Sequence, residues 1–243
     1  MNTFKMRFEK ISKIDMSQGQ PLKLITLFAI PLMIGNLFQM FYNMVDTMVV
    51  GKCVSTTALA SVGETAPVVD LLLGLVGGLS NGLSIVIAQR LVLNDKTSTK
   101  KAITNGFYLI IILSLLIMIL GLRFNKNLFA LIHLSQELLP GAITYSSIIS
   151  IGAIFAAVYN YESAILRAHG NSVIPLLFLI LSAILNVVLD LFFVIICHMG
   201  IAGVTYATII AELICCLLCY MYMKKKLDIL DFEKKTIVLT YNV

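Results

Sequence analysis

Asn43-Met-Val-Asp-Thr-Met-Val-Val-Gly51 places an amide and a carboxylic acid three residues apart, near the end of the first long apolar run. On a helix, those two side chains share a face. A second pair stands one turn apart in Asn186-Val-Val-Leu-Asp190, again within an apolar segment. An unpaired acid at such depth is expensive in lipid and marks a functional site by default. Most of the remaining long segments then read as a scaffold that brings the two acids into one cavity.

Composition sets the solvent. Only 13% of the 243 residues are charged and 59% are apolar, whereas a soluble domain carries about a quarter charged residues. The mean hydropathy is +0.94. A soluble globule of this length could not hide so much apolar surface, so the expected fold is an all-α integral membrane protein. Six transmembrane helices are read at about 22–50, 58–91, 102–122, 141–165, 173–197 and 201–223. Residues 1–21 carry Lys5, Arg7, Lys10 and Lys13 interleaved with Phe4, Phe8, Ile11 and Ile14. They read as an amphipathic cytoplasmic arm or a basic tail. No cleavable signal peptide is expected, because residues 1–20 hold no compact apolar core.

The net charge of +5 does not imply nucleic-acid binding, since the basic residues lie mostly between apolar runs. Counted on alternate sides of the six spans, Lys and Arg divide fifteen against three. The larger group holds the arm, the loop Arg90–Lys101, Arg167 and the tail, so both termini are expected in the cytoplasm. Spans one and five then run in the same direction. Asp46 lies roughly 36 Å along its span and Asp190 roughly 26 Å along its own, at 1.5 Å per residue. Both acids fall in the outer half of the membrane at a similar depth, as a shared site requires.

A carboxylate in such a cavity could take up and release a proton, and two carboxylates with the Asn oxygens could instead hold Na⁺. Asn36, Gln39, Asn43 and Asp46 recur at three- and four-residue spacing as one polar stripe. Asp70 and Glu212 sit near mid-span and are candidates for the cavity or a cytoplasmic gate. Arg167 could close such a gate through a salt bridge. Glu64 and Glu162 lie nearer span ends and read as interfacial acids, as His133 and His198 read as interfacial residues. Gly74, Gly77, Gly78 and Gly82 read as close-packing positions between helices. Cys216-Leu-Leu-Cys219 has metal-like spacing but lies in an apolar helix with no histidine nearby in sequence, so packing is the expected role. The five cysteines suggest no disulfide framework. No phosphate loop, catalytic Ser/His/Asp set or zinc signature is present, so neither an enzyme nor a metal site is expected.

The stretches that carry these residues resemble the multidrug and toxic compound extrusion (MATE) family. They are Pro31 with Asn43–Gly51, Ala58-Leu-Ala-Ser-Val-Gly63, Gly74-Leu-Val-Gly-Gly-Leu-Ser-Asn-Gly82 and Ala88-Gln89. Further along come Ala164-Ile-Leu-Arg-Ala-His-Gly-Asn171, Leu185-Asn-Val-Val-Leu-Asp190 and Gly200-Ile-Ala-Gly-Val-Thr-Tyr-Ala-Thr208. Their order and spacing over residues 21–223 make the likeness strong. The resemblance implies a plasma-membrane antiporter that exchanges Na⁺ or H⁺ for small organic, often cationic, compounds by alternating access. It also implies that Asp46, Asn186 and Asp190 belong to a cation site of the amino-terminal lobe. No cofactor beyond the coupling ion is implied. The chain departs from the family pattern at Leu191, where Pro usually follows the acid, at Arg90-Leu-Val92, and at Glu212, where Gln is expected.

Family members have twelve spans in two six-helix lobes. This chain resembles the amino-terminal lobe, so residues 224–243 read as a cytoplasmic linker cut short, and the expected partner is a second six-helix lobe or a second copy of this chain. Two other readings stand beside export by this lobe. A lipid or polysaccharide flippase of the related superfamily would favour basic residues in the cavity. The other is a non-transporting membrane fragment, a regulatory or assembly partner, which the coding sequence after Val243 would discriminate.

Overall fold

Prolines and polar caps mark where the helices begin. In the computed structural model, which describes residues 20–93 and 95–227, Pro21 opens α1 (Pro21–Cys53) and Ser55 caps α2 (Thr56–Val92) by accepting the Ala58 amide. Asp95 caps α3 (Lys96–Leu131) through the Ser98 amide and hydroxyl, and these two bonds hold its carboxyl below the usual carboxylate range. Pro140 lies in the first turn of α4 (Leu139–Ala168). Helix α5 (Val173–Leu191) passes directly into a π-helical turn, Phe192–Ile196, and α6 (Gly200–Lys226) follows. All six segments are long and apolar enough to cross a membrane. The amphipathic arm read at 1–19 and the linker read beyond 227 lie outside the described residues.

The helices outrun the apolar runs that announced them. Arg90–Lys101 was expected as a loop, yet α2 continues to Val92 and α3 resumes at Lys96. Span three was read to residue 122, yet α3 continues through Arg123 and Lys126 and ends only at Leu131. Hydrophobicity reports the hydrocarbon slab, whereas a helix continues into the headgroup region until a cap or a turn residue stops it. His133 and His198 supply such stops at φ 56° and 54°. Span five, read to residue 197, leaves regular α-helix at Leu191.

Helix α4 is the centre of the bundle, packed against α2, α3 and α6. The larger core joins Val76, Ile87, Ile110, Ile117, Ala157, Tyr161 and Met223. A smaller one joins Val49, Val50, Ala58, Val194 and Val204 at the other end. Between helices, polar groups find partners as lipid demands. Tyr161 Oη donates to the Ile103 carbonyl (2.7 Å), Ser84 Oγ to the Ala164 carbonyl (3.0 Å), and Asn125 Nδ2 to Ser147 Oγ (2.8 Å). Helix α1 is the edge helix. Only Gly35, Val49 and Val50 of its 33 residues are buried, and it rests chiefly on α5.

The close-packing glycines are not the expected ones. A Cβ at Gly74, Gly77, Gly78 or Gly82 would meet nothing within 4 Å. A Cβ at Gly106, Gly121 or Gly152 would collide with Tyr161, Ser150 or Ile209. The small-residue spacing on α2 therefore leaves a face open, while isolated glycines on α3 and α4 make the helix contacts. The Ile/Leu/Met run of α3 is two-sided: Ile112, Leu116 and Ile119 are exposed, whereas Ile110, Ser114 and Ile117 are buried.

A candidate cation site between α1 and α5

Two connected cavities run between α1, α2, α4, α5 and α6. The larger, about 470 Å³, is lined by Asn43, Asp46 and Asp70, together with Gly74 and Gly77 from the open face of α2. The smaller, about 150 Å³, reaches toward the end of the lobe that carries Arg167 and is lined by Asn36, Pro31 and Asn186. Gln39, Tyr42, Asn160, Thr208 and Glu212 line both. The polar stripe of α1 and the mid-span acids Asp70 and Glu212 therefore share one space. Tyr42, Tyr145, Asn160 and Thr208 were not singled out from the sequence. Their signal was available in part, since Asn160 continues the helical spacing of Tyr145, Ala153 and Ala156.

Asp190 lies on α5, fully buried, and its carboxyl faces that of Asp46 across the α1–α5 contact, with Thr208 also beside Asp46. Thr208 Oγ1 accepts from Asn186 Nδ2 at 3.1 Å and donates to the Val204 carbonyl. The four side chains thus form a continuous set, Asp190–Asp46–Thr208–Asn186. Its oxygens outnumber its donors. Asp46 Oδ1, Asn186 Oδ1 and both Asp190 oxygens are buried without a hydrogen-bond partner. Two facing carboxylates repel unless something positive lies between them, and buried acceptors left unpaired cost roughly 1–3 kcal/mol each. An all-oxygen set of this kind has the chemistry to take up a proton or a small cation.

Thr208 holds this arrangement in place. Thr208→Val is expected to leave the Asn186 amide unpaired and to destabilise the lobe by about 1 kcal/mol, in the range found for interhelical hydrogen bonds in membranes. Thermal unfolding in detergent micelles checks it.

Two expected roles change in the structure. Arg167 donates to the Asn81 amide oxygen at 3.3 Å, a neutral partner on α2 rather than the acid of a gate salt bridge. Glu162, read as an interfacial acid from its place near a span end, is only 4% exposed. Position along a helix does not report which face a residue occupies, and Glu162 faces inward. Glu64 is exposed. Cys216 and Cys219 are free and buried, and no cluster of three His, Cys, Asp or Glu suited to a metal occurs among the described residues.

The MatE family model matches residues 31–192. The chain belongs to the MATE family. This is a family of transporters rather than enzymes. Among curated relatives, a probable multidrug resistance protein, YpnP, of Bacillus subtilis is 31% identical over 198 residues, which are 82% of this chain and 44% of the relative. The multidrug export protein MepA of Staphylococcus aureus is 23% identical over 208 residues, 86% of this chain and 46% of MepA. Among solved structures, MATE in complex with MaL6 aligns with a TM-score of 0.83 at 29% identity, covering 91% of this chain and 49% of that one. The outward-facing conformation of a multidrug resistance MATE family transporter aligns at 0.79 and 30%, covering 86% and 46%. The six long helices match one lobe of these MATE structures, and the chain is a multi-pass membrane protein. It spans a little under half the length of the relatives it matches. As in the sequence pattern, Leu191 follows the acid, and the helix widens into the π turn at the next residue.

Proposed function

We propose that this chain is the amino-terminal lobe of a cation-coupled antiporter that exports small organic cations by alternating access, with Asp46, Asn186 and Asp190 as the coupling-ion site. The observation that carries the reading is the sign of the central cavity. Asp46, Asp70 and Glu212 line its larger part with no Lys, Arg or His among them, and the one basic lining residue, Arg167, belongs to the smaller part. A cavity of one sign concentrates the opposite sign, so the favoured cargo is a cation, and the flippase reading, which favours basic linings, loses ground. Asn43, Gln39 and Asn36 continue the polar wall, Glu212 sits where the two cavities meet, and Arg167 marks the end that gates toward the cytoplasm. The coupling ion is Na⁺ or H⁺. Both termini lie in the cytoplasm on the charge count, in the plasma membrane, and the partner is a second six-helix lobe or a second copy.

The test is ethidium efflux from cells lacking their own pumps, expressing residues 1–243 alone or with a carboxy-terminal lobe. Efflux from the chain alone supports a working pair of identical lobes. Efflux only on co-expression supports one half of a two-lobe machine. Absence of efflux in both, with membrane expression verified, sinks the antiporter reading. Imposing a pH gradient or a Na⁺ gradient separately in membrane vesicles then decides the ion.

A further inference from the structure

A third cavity, about 420 Å³, lies on the far side of α4 from the central pair. Its size falls within the range for drug-sized ligands, about 300–1,000 Å³. Helices α3 and α6 both pack on α4 but, among the described residues, not on each other. The cleft between them is this cavity, and α4 forms its floor. Tyr108, Leu217 and Tyr220 stand at its rim, 45%, 54% and 38% exposed, on the apolar outer surface of the bundle. The mouth therefore opens toward hydrocarbon. Its level is set by Glu162, six residues before the end of α4 at Ala168, or roughly 9 Å at 1.5 Å per residue. That is the end of the lobe bearing Lys96 and Lys224–Lys226.

Inside, the walls are apolar and aromatic, and no Lys, Arg or His lines them. Glu162 is the only carboxyl among the lining residues. It is buried, and its Oε2 has no hydrogen-bond partner. The thiol beside it, Cys219, is only a weak donor. A carboxyl in this setting lacks one thing, a positive partner. An acyl chain would fill the walls and leave the carboxyl unpaired. A hydrophobic cation satisfies both, since Phe107, Tyr108 and Tyr220 present ring surfaces that attract a desolvated cation.

We propose that the cleft between α3 and α6 is a lipid-facing binding site for a hydrophobic organic cation, whose charge pairs with Glu162 while its apolar body lies against the aromatic walls. The site is separated from the Asp46–Asp190 pair by α4, and it stands or falls independently of export.

The test uses the full chain in lipid nanodiscs with tetraphenylphosphonium as probe and tetraphenylborate, similar in shape and opposite in charge, as its control. The readout is the alkylation rate of Cys216, which lines this cavity, resolved by mass spectrometry from the other thiols. With tetraphenylphosphonium at about ten times its Kd, Cys216 should be protected about tenfold, and tetraphenylborate should not protect it. Glu162→Gln should abolish protection, measured as the ratio of the rates with and without tetraphenylphosphonium in the same variant, with thermal unfolding at the wild-type temperature reporting an intact fold. Glu162→Asp should restore part of it, and Asp190→Asn should leave it unchanged. Equal protection by both ions, or protection that survives Glu162→Gln, would identify the cleft as an ordinary lipid groove and overturn the proposal. So would the lack of protection by either ion.

Discussion

Asp190→Asn is expected to cut gradient-driven ethidium export by about 5- to 150-fold, the span of a coupling free energy of roughly 1–3 kcal/mol. The substitution keeps size and shape and removes only the ionisable group. In the wild type, both Asp190 oxygens are buried without partners and face Asp46, and on the function proposed above the pair takes up a proton or a cation in one conformation and loses it in another. An amide can neither exchange a proton nor bring negative charge to a cation. Coupling is therefore lost while packing is kept. The measurement is export in membrane vesicles at equal membrane expression, with the carboxy-terminal lobe present if the chain alone is silent. Collapsing the gradient should stop export by the wild type and change little in the variant. Export that is indifferent to Asp190→Asn would remove this site from the mechanism.

The second large effect is on stability. Gly106→Val should destabilise the lobe by several kcal/mol. A Cβ at this position would lie 2.9 Å from Tyr161 Cζ and still closer to the phenol oxygen. Tyr161 would have to leave its place between α3 and α4, and its buried bond to the Ile103 carbonyl would be broken. Overpacking costs about 1–3 kcal/mol, and the orphaned buried polar groups about 1–3 more. Gly78→Ala is the matched control. Its Cβ meets nothing within 4 Å, and Ala is the better helix former by about 1 kcal/mol, so it should be neutral or slightly stabilising. Thermal unfolding read by a thiol-reactive dye suits the chain, because Cys215 and Cys219 are fully buried and become reactive on unfolding. If Gly106→Val melts with the wild type, Tyr161 does not hold α3 to α4.

Composition and the order of apolar runs made the six-helix lobe legible, because lipid forces the backbone to satisfy itself and leaves few alternatives. The depth arithmetic put Asp46 and Asp190 at a similar level. It could not supply their lateral proximity, which comes from the packing of α1 on α5. Glycine spacing on α2 was misleading for a physical reason. Absence of a Cβ permits close approach, but only the neighbouring element decides whether anything approaches, and here the face lines a cavity instead. Glu162 was misread because distance from a helix end says nothing about azimuth. Thr208 stood in a quoted motif, yet its role depends on a hydrogen bond to a residue 22 positions away, and no local pattern reveals that.

The distribution of thiols has a practical consequence. Cys53 ends α1 and Cys197 follows the π turn, both exposed and both at the end of the lobe remote from Pro21 and Lys226. The other three cysteines are buried within α6. The chain thus carries its own sidedness reporter. A membrane-impermeant maleimide added to intact cells should mark Cys53 and Cys197 if the termini are cytoplasmic, and should mark neither until the membrane is opened if they are not.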